Sequence, residues 1–223
     1  MPDFISMHPM KIFFLALLVL CIILGVFYKF VFLRDNKNRV PEGNNIVSPA
    51  SGKVISIQTV DGKTPLEIRK GFLGKIETQI DAGEPYYLIN IFMSVFDVHI
   101  NKMPVDGSIV EITQVDGTFE PVMSLEAGLK NEKQEFLIES EIGLVKVIQI
   151  AGFLARRTRS FVEVGQSLKK GEKFGMITLG SQMAVLLPKS KCDVQVKVGD
   201  RVSSGESILC TIPSGDIFLL VSA

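Results

Sequence analysis

A mainly β domain behind one membrane-spanning helix is what this 223-residue sequence predicts. Three observations carry that expectation. Short apolar or alternating runs, rich in Val and Ile, recur between Gly, Asp and Pro turn signals, which is the pattern of successive strands. One uncharged apolar run near the N-terminus has the length of a bilayer core. A pattern at Val162–Met176 (VEVGQSLKKGEKFGM) returns at Val196–Cys210 (VKVGDRVSSGESILC), in the wording of β-hairpins.

From Ile12 to Tyr28 no residue is charged, and after Lys29 the run resumes with Phe30–Leu33. About 20 such residues span the hydrocarbon core, with Lys29 able to reach the interface through its apolar stem. Lys29, Arg34, Lys37 and Arg39 crowd the C-terminal side, so the positive-inside rule places the globular part in the cytoplasm, at the cell membrane. Residues 1–34 are therefore expected to be the anchor. Residues 35–46, polar with Pro and Gly, form a juxtamembrane linker, and 47–223 the folded domain.

Within that domain the expected strands include GKVISIQTVDG, YYLINIFM, GSIVEITQVDG, EFLIESEIG, LVKVIQIAGF, MAVLLP and DIFLLVSA, with a loop and short helix over PVMSLEAGLKNEKQE. The fold class is mainly β (α+β) with a few short helices, and the repeated hairpin wording resembles barrel-sandwich hybrids such as biotinyl and lipoyl carrier domains.

Composition narrows the function. The 24 basic and 24 acidic residues cancel, whereas a nucleic-acid binder would carry a basic excess. Three scattered cysteines give neither a disulfide framework nor a CxxC pair. With only His8 and His99, and His8 ahead of the apolar run, a multi-histidine metal site is not expected.

Two segments carry chemistry. In FMSVFDVHINKMPVDGSI, Asp97 and His99 are two apart, so on a regular strand they would share a face, where a carboxylate can orient an imidazole as a general base. In GEKFGMITLGSQMAVLLP, Gly180-Ser181 lies between two apolar runs, and the G-x-S-x-G spacing of a nucleophile elbow is absent. Taken in order, FDVHINKMPVDGSI, IAGFLARR and GEKFGMITLGSQMAVLLP resemble the short form of the phosphatidylserine decarboxylase family, from about Val47 to the C-terminus. Leu179-Gly180-Ser181 matches the family's cleavage site after a K-G-E-x-F-G lead-in at Lys170–Gly175. SPASGKV (Ser48–Val54) resembles P-A-D-G-K-V, with Ser51 where Asp is usual, and Asn131-Glu132-Lys133 resembles N-E-R.

The resemblance implies a proenzyme in which Ser181 attacks the Gly180 carbonyl, with His99 as base and Asp97 orienting it. Cleavage gives a large chain 1–180 and a small chain 181–223 headed by a pyruvoyl group, which forms a Schiff base with a serine-headed phospholipid (phosphatidylserine or archaetidylserine) and releases CO2. No metal or added cofactor is implied, and a homodimer is common in the family. Arg156 and Arg157, in FLARRTR, would meet the anionic head group or the membrane interface. The rival reading is a membrane-tethered adaptor module of the biotinyl/lipoyl kind, which leaves FDVH and LGS unexplained.

Overall fold

The computed structural model describes residues 9–32, 34–35, 39–62, 66–69, 75–78, 80, 83–115, 133–151, 158–177 and 181–213. The apolar run forms helix α1 (Pro9–Phe27), continued by a π-helical turn over Tyr28–Phe32. None of α1 is buried against protein. The stretch Pro9–Phe30 is long and apolar enough to cross a membrane.

The strands among the described residues that follow pair antiparallel throughout. In chain order the strands are β1 (Asn45–Val47), β2 (Gly52–Val60), β3 (Leu66–Arg69), β4 (Lys75–Thr78), β5 (Tyr86–Met93), β6 (Ile100–Lys102), β7 (Gly107–Val115) and β8 (Lys133–Ser140). They continue with β9 (Gly143–Ile150), β10 (Thr158–Ser160), β11 (Ser167–Leu168), β12 (Lys173–Ile177), β13 (Ser181–Pro188), β14 (Asp193–Val194), β15 (Arg201–Val202) and β16 (Ile208–Thr211). One eight-stranded sheet has the order β11-β7-β8-β9-β13-β5-β2-β15, and two three-stranded sheets have the orders β1-β16-β14 and β10-β12-β6. The mainly β expectation is met. The only other helical piece among the described residues is a 3₁₀ turn at Lys189–Lys191. The helix expected over 121–135 falls outside the described residues as far as 132, and from Lys133 the chain is strand. The expected DIFLLVSA strand also lies outside them.

Period-two alternation gives the large sheet two apolar faces. One carries Ile89, Ile91, Met93, Phe136, Ile138, Val145, Val147, Met183, Val185 and Leu187, in one core with Ile46, Phe174, Ile177 and Leu209 of the small sheets. The Phe136 and Phe174 rings meet edge to face at 4.9 Å. The other face (Tyr86, Leu88, Ile148, Ile150, Ala184, Leu186) packs with Ile68 of the β3–β4 hairpin and with Ile80. Strand β13, central and buried at all eight positions, reads as a continuous apolar run from Met183 to Pro188, after Ser181 and Gln182. Each of its Val and Leu side chains contributes about 1.5–3 kcal/mol by burial.

The repeat is real, and it is half of a longer duplication. Gly165 and Gly199, at φ 90° and 102°, occupy equivalent left-handed turn positions that glycine adopts without strain. Gly165 N–H donates to Ile109 O and Ile109 N–H to Gln166 O; in parallel, Gly199 N–H donates to Val54 O and Val54 N–H to Asp200 O. The two copies supply β11 and β15, the short strands that end the large sheet on either side, and short edges resist pairing with other chains. Their partners, Val47–Val54 and Lys102–Ile109, are duplicated too. Val47 N–H donates to Pro104 O and Lys102 N–H to Pro49 O, a reciprocal exchange between the halves. Asp106 Oδ1 accepts Lys170 N–H at 2.6 Å, and Ser51 Oγ accepts Ser204 N–H at 2.9 Å in the equivalent place.

Candidate active site

Strand β5 runs into a turn that the sequence builds for itself. Asp97 Oδ2 accepts from Ser94 N–H at 2.8 Å and Ser94 Oγ at 2.7 Å, while Asp97 N–H donates to Ser94 O. Arg201, from β15, holds Asp97 Oδ1 at 3.2 Å. The Asp97–His99 pair thus does not lie on one regular strand. Asp97 closes the turn, and its carboxylate is engaged by Ser94 and Arg201. Its link to the imidazole runs through the backbone and through charge.

His99 is fully buried immediately before β6. Burial pushes its imidazole down to about 4, against a hydrogen bond to the Asp97 backbone and the Asp97 charge, while the Arg34 guanidinium deepens the depression. The ring is therefore neutral at pH 7 and able to accept a proton. The unfolded chain takes up a proton between about pH 6.5 and 4 that the folded chain refuses. Stability present above pH 6.5 is accordingly lost as pH falls toward 4. We expect His99 alone to cost about 2 kcal/mol between about pH 7.5 and 5. Denaturant unfolding in detergent should show a steeper acid loss for the native chain than for His99→Gln; parallel pH profiles would refute it.

The His99 carbonyl accepts Ile177 N–H at 3.2 Å, at the end of β12. Four residues on, Ser181 opens β13, so the chain from His99's neighbour to the serine spans at most roughly 14 Å. Gly180 and Leu179, between them, lie outside the described residues, as do Arg156 and Arg157 and the Asn131-Glu132 pair. Ser181 is 1% exposed, opposite Met93 of β5, and its hydroxyl donates to Met93 Sδ at 3.4 Å. A thioether is a weak acceptor. The hydroxyl is buried, lightly held and on the same face as Met183, Val185 and Leu187.

Two polar residues not anticipated as functional share that region. Gln149, on β9 opposite Met183, donates from Nε2 to Asn101 Oδ1 at 2.8 Å, and Asn101 Nδ2 donates to Pro49 O at 3.4 Å. The signal that could have found them is H-x-N, which places Asn101 two residues after His99, together with a glutamine interrupting an apolar strand. Ser51, which departs from the family pattern, makes with its hydroxyl the bond that Asp106 makes with a carboxylate in the duplicate half. Lys133 holds buried Glu135 at 2.7 Å, alongside Lys146 at 2.7 Å. Among the described residues no three His, Cys, Asp or Glu side chains converge to hold a metal.

The end of the N-terminal helix and the residues after it reach this site. Phe27 meets Phe96 ring edge to face at 6.0 Å, Arg34 donates to Phe96 O at 2.7 Å, and Asp35 bridges Lys173 at 2.8 Å and Lys102 at 3.7 Å. Phe92 and Phe96 are exposed beside it.

A family model described as phosphatidylserine decarboxylase matches residues 27–210. A phosphatidylserine decarboxylase proenzyme from Zymomonas mobilis is 40% identical over 95% of this chain and 89% of its own length. One from Carboxydothermus hydrogenoformans is 35% identical over 88% and 84%. A relative from Methanocaldococcus jannaschii, provisionally named an archaetidylserine decarboxylase proenzyme, is 36% identical over 88% and 94%. The family match takes in the end of the helix, the Asp97–His99 turn and Ser181, and the chain belongs to the phosphatidylserine decarboxylase family of carboxy-lyases.

Proposed function

We propose that the chain is a proenzyme that cuts itself between Gly180 and Ser181 and then decarboxylates a serine-headed phospholipid at the bilayer surface. The observation that carries this reading is Ser181 itself: a buried hydroxyl at the head of the central strand, held only by a thioether among the described residues. His99, neutral and buried, takes the hydroxyl proton as Oγ attacks the Gly180 carbonyl, and the peptide bond becomes an ester with a free amine on residue 181. Removal of the Ser181 α-proton expels the Gly180 carboxylate. The dehydroalanine left behind isomerises and takes up water, giving ammonia and a pyruvoyl group.

The residues fit such a group. Position 181 is the first of β13, so the new end would sit beside Met93, in the buried layer that also holds Gln149. The small chain would stay in place after cleavage, because β13 pairs with β5 and β9, β15 with β2, and β16 with β1. When present, the pyruvoyl ketone supplies an electron sink for the carbanion formed as CO2 leaves. The protein's share is to hold the head group, exclude water and keep His99 available for proton transfer.

The membrane-spanning reading of α1 accords with the Phe27–Phe96 and Arg34–Phe96 contacts, which bring the helix end to the turn before His99. Lys29, Arg34 and Arg39 keep the domain on the cytoplasmic side. The duplicated half-motifs support a barrel-sandwich-hybrid-like architecture for 47–223. Phosphatidylserine and archaetidylserine share the reacting head group, and either serves this chemistry. The test is the intact mass of the purified chain under denaturing conditions. Two chains, the smaller 181–223 with an N-terminal pyruvoyl mass, are expected; a folded protein that stays whole would sink the proposal.

A further inference from the structure

Across the core face of the large sheet runs a row of glutamines. The registers set Gln114 opposite Gln134, Gln134 opposite Gln149, and Gln149 opposite Met183. Their neighbours along the same strands and face, Phe136 and Val147, are core. Gln149 is therefore the same-face diagonal neighbour of Ser181, about 7–8 Å away, and Gln134 lies one strand further across. Gln149 is completely buried and Gln134 is 4% exposed.

The polarity of Gln149 is fixed from outside. Pro49 O can only accept, so it draws Asn101 Nδ2, which leaves Asn101 Oδ1 to draw Gln149 Nε2. Flipping the glutamine would set two oxygens against each other. The relay thus presents Gln149 Oε1, and among the described residues that atom has no hydrogen-bond partner; neither has Gln134 Oε1. Two buried carbonyl oxygens on adjacent strands call for a donor, and a group with donors only suits them best.

We infer that the side-chain carbonyls of Gln134 and Gln149 form an acceptor pair for the ammonium of the lipid's serine head group, beside residue 181. The inference rests on the decarboxylase reading. It sets the orientation of the substrate: the amine turns toward the glutamines and residue 181, while the carboxylate, repelled by the two carbonyl oxygens, points away. It also makes the site selective for an amine over a hydroxyl.

The test uses the full-length, matured protein with Gln149→Met and Gln134→Met, which keep side-chain length and remove the acceptor. Decarboxylation of phosphatidylserine vesicles is inhibited competitively with phosphatidylethanolamine and with the same lipid carrying a hydroxyl in place of the amine. Each variant is expected to raise KM and weaken inhibition by the amine lipid about tenfold, the scale of one hydrogen bond to a charged group. Inhibition by the hydroxyl lipid should weaken distinctly less, because its single neutral O–H forms the weaker bond. Equal weakening of both inhibitors, or of neither, overturns the assignment. Should Gln149→Met not mature, Gln134→Met, which leaves the Asn101 relay intact, decides alone by the same criteria. A native chain that neither splits nor releases CO2 would instead sink the decarboxylase reading.

Discussion

Ser181→Ala is expected to remain one uncut 223-residue chain and to release no CO2 from phosphatidylserine vesicles. The effect should be complete because two events need the same atom. Without Oγ there is no nucleophile for the Gly180 carbonyl, and without the ester there is no leaving group to expel from residue 181, hence no ketone for catalysis. The fold should hardly notice. Alanine fills almost the same buried space, and among the described residues the serine hydroxyl gives up just its 3.4 Å bond to Met93 Sδ, which is weak. Intact mass and a thermal melt settle the matter together. An uncut chain that melts within a few degrees of the native protein fits the proposal. A variant that still splits at 180/181 removes Ser181 as the nucleophile.

Much of the fold is legible in the sequence because strands in this chain announce themselves by period. GKVISIQTV, YYLINIFM and LVKVIQI alternate or run apolar with Gly, Asp or Pro at one end at least, and each is a strand in the large sheet. The hairpin repeat is legible because glycine at 165 and 199 is tied to a backbone conformation that other residues adopt at a cost. The earlier half of the duplication is not. Val47–Val54 and Lys102–Ile109 share a backbone pairing while differing at most side chains, and at the decisive position Ser51 replaces an acidic group by a hydroxyl that accepts the same N–H. Hydrogen-bond equivalence of Ser and Asp is invisible to a comparison of letters.

The site is legible in its motifs and not in its connections. D-x-H suggests a shared strand face, but Ser94 N–H and Oγ capture the Asp97 carboxylate and bend the chain before β6 begins. Gln149 and Asn101 come from strands 48 residues apart in sequence, and only the sheet register sets their amides 2.8 Å from one another. Likewise, nothing local in Arg34 or Asp35 indicates that a linker would close onto Phe96, Lys102 and Lys173. Such contacts depend on topology, which one sequence does not spell out.

His99→Gln is expected to slow self-cleavage by about 10²–10⁴-fold, the usual worth of a positioned general base. Glutamine keeps much of the buried polar volume but accepts no proton near neutral pH. With the imidazole held at about 4 by burial, the native chain should mature at a nearly constant rate from about pH 7.5 to about 5. The rate should then fall as the ring protonates, with the sign set by the neutral form being the base. The glutamine variant should be slow throughout and lack that acid limb. A purely structural histidine would behave otherwise: its loss would lower the melting temperature and leave the pH profile of cleavage with the same shape. Pulse-labelled chains followed by the ratio of cut to uncut protein across that pH range separate the two cases. Native-rate maturation of His99→Gln would transfer the role to another group, and the neutral, buried imidazole would then owe its place to packing between β6 and the end of β12.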